Sequence, residues 1–181
     1  MKTKAPIALT LAAVLTVASG CTNPQGETEA PVFITVSMDE QPLIVSVLNA
    51  VPVQIPTIEL NSELKDPNAQ DPQGMADTQL NQYTVTYFRL DGGTIVPPAQ
   101  TFAAGVVVPS GGQATLNNFP IMTASAIQQS PFDQLLPFNG GIDRETGRNE
   151  IHLGYRLTFY GITVSGKRVQ SQTAVAEIFV Q

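Results

Sequence analysis

From Ile151 onward the apolar positions alternate strictly. Ile151, Leu153, Tyr155, Leu157 and Phe159 are separated by His152, Gly154, Arg156, Thr158 and Tyr160. A strand places every second side chain on one face, so this stretch predicts a strand with one buried face. A turn at Ser165-Gly166-Lys167 follows, and then a closing strand with Ala174, Ala176, Ile178 and Val180 on one face. Val169 has the opposite parity, which predicts a bulge between Val169 and Ala174. Upstream, Val32 to Val36 is rich in β-branched residues and reads as a strand. Leu43 to Leu48 is nearly continuous in apolar residues, as expected of a strand covered on both sides; periodicity leaves a short buried helix as the alternative. Pro52 and Pro56 predict an edge or crossing segment. Ile58, Leu60 and Leu64 alternate with Thr57, Glu59 and Glu63, as in a half-buried strand. Lys65 to Thr78 is a long polar loop. Tyr83 to Leu90 is the next strand, stopped by Asp91-Gly92-Gly93. Thr101 to Val108 and Gln113 to Ile121 flank the turn Pro109-Ser110-Gly111-Gly112.

Met122 to Asn149 is less regular. Ser130 followed by Pro131 reads as an N-cap and first helical residue. The helix would last one or two turns, to Pro137. Asn139-Gly140-Gly141 and Thr146-Gly147 are turn chemistry. Seven to nine strands with turn-rich connections predict an all-β fold: one antiparallel β-sandwich over residues 31–181, with two long loops and at most one short helix. The closing hairpin, Glu150 to Val180, resembles the last two strands of immunoglobulin-like and fibronectin type III-like domains, which implies an immunoglobulin-like sandwich. The resemblance is architectural, and the chain has no Trp for a Cys-Trp-Cys core. A jelly roll or a transthyretin-like sandwich is the alternative.

The N-terminus has another character. Lys2 and Lys4 precede the apolar run Ile7 to Val17, and Ala18-Ser19-Gly20-Cys21 follows. A basic start, a short apolar stretch and small residues make a secretory signal peptide, too short for a bilayer span of about 20 residues. A cysteine directly after the small residues resembles the lipobox of bacterial lipoproteins, although Ala18 stands where that family most often has Leu. The resemblance implies that residues 1–20 are removed and that Cys21 carries diacylglycerol and usually a third acyl chain. It also implies residence in the cell envelope. Thr22, rather than Asp, follows the cysteine, which favours the outer membrane in a Gram-negative organism. Cys21 is the only cysteine, so the domain has no disulfide. Residues 21–30 then form a polar tether; the nine from Thr22 to Ala30 reach about 30 Å when extended.

Without Lys2 and Lys4, 7 basic side chains stand against 15 acidic ones, a formal net charge of −8. Phosphate binding requires clustered Lys and Arg, so nucleic acid is not an expected partner. The expected partners are the membrane, through lipid on Cys21, and another envelope protein.

Candidate chemistry is sparse. His152 is the only histidine and lies on the polar face of its strand, beside Arg156. One His and one lipidated Cys cannot build a zinc site. Asp143, Glu145, Asn149 and Glu150 form the best oxygen-ligand cluster, which a tight loop could wrap around Ca²⁺. Asp66, Asp71 and Asp77 are a weaker version of it. Tyr83 and Tyr87 on one strand face, and Tyr160 on another, are the aromatics for a saccharide platform; cross-strand packing is the competing role. No cofactor and no catalytic residue are expected. The expected function is a non-catalytic, membrane-anchored interaction module. The alternatives are a Ca²⁺- or carbohydrate-binding surface module and, further off, a carboxylate hydrolase.

Overall fold

The computed structural model describes residues 29–38, 41–49 and 51–181. The expected signal peptide, Cys21 and most of the expected tether lie outside the described residues. Nine strands are present among the described residues: β1 (Val32–Met38), β2 (Leu43–Val45), β3 (Val53–Leu64), β4 (Thr78–Arg89), β5 (Gln100–Val108), β6 (Gln113–Met122), β7 (Ile151–Thr163), β8 (Arg168–Gln170) and β9 (Ala174–Val180). They form an all-β sandwich. One sheet has the order β1-β3-β6; the other has β2-β9-β7-β4-β5, with β8 also paired to β7. The chain crosses from the first sheet to the second between β1 and β2, and β2 runs parallel to the last strand, β9. The second sheet is therefore mixed rather than purely antiparallel.

β7 follows its predicted alternation. Ile151, Leu153, Tyr155, Leu157 and Phe159 are buried between the sheets. The predicted bulge is also present: residues 171–173 lie opposite only Thr158 and Phe159. There the Ser171 hydroxyl accepts the Phe159 N–H, at 2.9 Å, in place of a ladder carbonyl. Tyr83 stands at the centre of the core, with its ring 4.2 Å from Phe119 of the opposite sheet and 5.3 Å from Phe159. The Tyr83 hydroxyl donates to the Pro120 carbonyl at 2.5 Å, and Tyr87 donates to the Ile121 carbonyl. The two tyrosines thus reach across the sandwich and tie β4 to the end of β6. Burial pushes the phenols of Tyr83, Tyr87 and Tyr155 up, that of Tyr155 to about 12.

Four local expectations are corrected. Leu43 to Leu48 is not a strand covered on both faces: β2 has only three residues at a sheet edge, and Ile44 is 71% exposed. Pro56 lies inside β3, at a level beyond the last pair with β1, Met38 opposite Ile58. Even-numbered N–H groups of β3 face β6, as the Ser62 bond to the Gly112 carbonyl shows, so the missing N–H falls opposite Asn118, where β6 adopts a positive φ of 52°. Ser130 caps no α-helix. The Ser130–Pro131 bond is cis, Pro131 itself precedes a 3₁₀ helix at Phe132–Leu135, and a second 3₁₀ helix begins at Pro137. The short α-helix lies earlier, at Ala124–Ile127. Ala30, assigned to the tether, is buried in the core.

Candidate functional site

β4 ends on a charge that the fold must neutralise. Arg89 continues the inward parity of Tyr83, Val85 and Tyr87, and its side chain is 2% exposed. Its guanidinium forks onto Asp91, Nε to Oδ1 at 2.7 Å and an Nη to Oδ2 at 2.9 Å. It also reaches Asp143 at 2.5 Å and donates to the Ile95 carbonyl at 3.2 Å. Both aspartates are fully buried. Asp91 accepts further bonds from the N–H groups of Gly93 and His152. Asp143 accepts from the Gln134 amide at 2.8 Å and the Thr146 hydroxyl at 2.7 Å. Glu145 closes the assembly by accepting from the Thr94 hydroxyl and from the N–H groups of Thr94 and Ile95.

The loop after β4 and the long connection between β6 and β7 are thereby tied into one rigid body through charge-assisted bonds. Burial alone would raise the Asp91 carboxyl; the Arg89 guanidinium and the two N–H donors override it and hold the group at about 2. Asp143 is also held below the usual range, because Thr146, Arg89 and the Glu145 N–H outweigh burial. The Thr94 hydroxyl and the N–H groups of Ile95 and Thr94 lower Glu145. Groups depressed on folding stabilise the fold above their unfolded values and lose that contribution as pH falls through the folded values. The expected result is a melting temperature that falls as pH drops from about 4 towards 2, with no contribution to pH dependence from these groups between 5 and 8. Thermal melts across this range check it; a flat profile below pH 4 would contradict the buried pairing.

The oxygen-ligand cluster does not assemble as a cation site. The Asp143 oxygens hold a guanidinium, an amide and a hydroxyl, and Glu145 turns to Thr94 and Ile95. Asn149 and Glu150 lie in the segment leading into β7. Among the described residues, no group of three or more His, Cys, Asp or Glu side chains is placed to hold a metal ion. Asp66 and Asp71 accept N–H groups of their own loop, and Asp77 accepts the Ser110 N–H. His152 stacks on Phe179 at 4.0 Å and bonds Glu177 at 2.9 Å, both across β9. Tyr83 and Tyr87 point into the core, so they form no saccharide platform; Tyr160 remains on the outer face.

The locked loop pair also carries apolar side chains in solvent. Phe138 is 80% exposed, and Ile142, Leu90, Ile95 and Val96 are exposed on the same two loops. Sequence reading missed Arg89 and Phe138. The signal for Arg89 was its parity: a charge in register with three inward-facing residues requires a partner. No protein-family model matches the chain, and no curated protein matches it.

Proposed function

We propose that this protein is a non-catalytic lipoprotein of the cell envelope, anchored through Cys21, that docks another envelope protein with the pole farthest from its anchor. The observation that carries the reading is the placement of the chain's entry relative to the exposed apolar loops. Val32 pairs with Leu64, so the tether enters at the pole bearing the 65–77, 109–112 and 164–167 connections. Phe138, Ile142, Ile95 and Val96 lie at the other pole, where β4 ends and β7 begins. The twelve residues of β3 separate the poles by about 40 Å. Exposed apolar side chains grouped on loops mark interaction sites. The Arg89 cluster pre-organises these loops, which lowers the entropic cost of docking. Phe138, the most exposed of these side chains, is of the aromatic class enriched at protein interfaces.

The test is affinity purification of the full-length protein from its native membrane after mild cross-linking, beside Cys21→Ala and Phe138→Asp forms. A recurrent protein partner is expected, lost with Cys21→Ala and reduced about tenfold with Phe138→Asp, a change of about 1.4 kcal/mol. Absence of any partner at comparable stoichiometry, or recovery indifferent to Phe138→Asp, would overturn the reading.

A further inference from the structure

A second surface lies on the outer face of the six-stranded sheet, apart from the Arg89 loops, with Glu29 of the N-terminal segment at its border. β7 is flanked there by irregularities on both neighbours. On one side β4 carries an extra residue, Asn81, between the pairs Leu80–Gly161 and Gln82–Tyr160. On the other, residues 171–173 bulge between β8 and β9. Bulges bend strands and re-aim side chains. Beside Asn81 lies an open groove of about 780 Å³, lined also by Tyr160 of β7 and by Arg168 and Gln170 of β8. Its size falls within the roughly 300–1,000 Å³ of small-ligand sites.

We propose that this groove binds a neutral oligosaccharide, with Tyr160 as the stacking residue. The chemistry of the lining selects that class. Asn81, Gln82 and Gln170 supply planar amides, each of which donates and accepts, and Arg168 supplies a fork of donors. Adjacent hydroxyls of a sugar ring present the complementary pattern, while the ring's C–H face matches the aromatic surface of Tyr160. A nucleotide or anion would require clustered cations. Here Arg168 shares the groove with Glu29, which itself pairs with Lys167 at 3.4 Å. An apolar peptide anchor would require a deep hydrophobic pocket, whereas this groove is open and sets amide side chains beside Ile162 and Val169. It is continuous with solvent, so a chain longer than the groove can lie across it.

The full chain, in a detergent without sugar headgroups, is titrated with chitohexaose, cellohexaose and maltohexaose, and amide chemical shifts are followed. At least one probe is expected to give saturable shifts confined to residues 81–82, 160–162 and 166–170. Tyr160→Ala should weaken binding about tenfold, Gln82→Ala several-fold, and Tyr160→Phe little, because the ring is kept. Tyr83→Phe, in the core, should leave affinity unchanged. No saturable shift with any of the three at millimolar concentration, or shifts mapping elsewhere, would overturn the proposal. So would binding indifferent to Tyr160→Ala in a protein whose amide spectrum shows it folded. Loss of protein docking through Phe138→Asp should leave saccharide binding intact.

Discussion

Replacing Arg89 by Met is expected to destabilise the domain by roughly 3–5 kcal/mol, the usual cost of leaving buried charges without their partner. Asp91 and Asp143 are both fully buried, and the guanidinium is the cation they share. Removing it leaves two carboxylates that must either stay charged in a dry site or take up protons. The apolar stem of Met replaces packing but not charge, so the loss is electrostatic in origin. A double variant, Arg89→Met with Asp143→Asn, should lose less than the two single effects added together, because neutralising one carboxylate removes part of the uncompensated charge. Urea denaturation monitored by tyrosine fluorescence measures both. A loss below about 1 kcal/mol, the range of exposed pairs, would mean that water reaches the cluster and that the loops are not locked.

Gly161→Ala is the second large effect, expected to cost about 3 kcal/mol, near the upper end for over-packed positions. A Cβ there would sit 2.0 Å from the Gln79 carbonyl oxygen and 2.7 Å from Leu80 Cα, both backbone atoms. Backbone cannot rotate aside, so the bulged β4 must separate from β7, taking the central strand pair with it. Gly154→Ala on the same strand provides the comparison. Its Cβ would meet the Phe88 ring at 2.2 Å. That ring is a side chain and can move, giving up its contact beneath Arg156. Gly161→Ala should therefore be the more destabilising of the two in equilibrium unfolding. Equal or reversed losses would place the close approach of β4 elsewhere.

These two sites show where sequence patterning carries information and where it stops. β7 was legible because its apolar and polar positions alternate for ten residues, and burial on one face enforces that period. The bulge before β9 was legible because Val169 and Ala174 differ in parity. β2 was misjudged because a run such as Leu43 to Leu48 looks the same whether it crosses a sheet centre or skirts an edge. Which of these occurs depends on the parallel pairing with β9, more than 130 residues away. Pro131 was misread for a related reason: Ser-Pro fits a helix start, but a preceding cis bond and a tight 3₁₀ turn also fit. The acidic run from Asp143 looked like a cation loop because its partner, Arg89, is distant in sequence and arrives only when β4 and β7 pair. The groove at Tyr160 is lined by Asn81, the extra residue of β4, on which local sequence is silent.

The direct test of the orientation and docking account is photo-cross-linking in native membranes. A photoreactive residue is placed at Phe138 in one form of the full-length protein and at Ser165, on the tether-side hairpin, in another. The account predicts that position 138 captures a discrete protein partner, that position 165 does not capture that partner, and that the adduct at 138 disappears when Cys21 is replaced by Ala. The same partner captured from Ser165 but not from Phe138, or an adduct at 138 that survives Cys21→Ala undiminished, would contradict it.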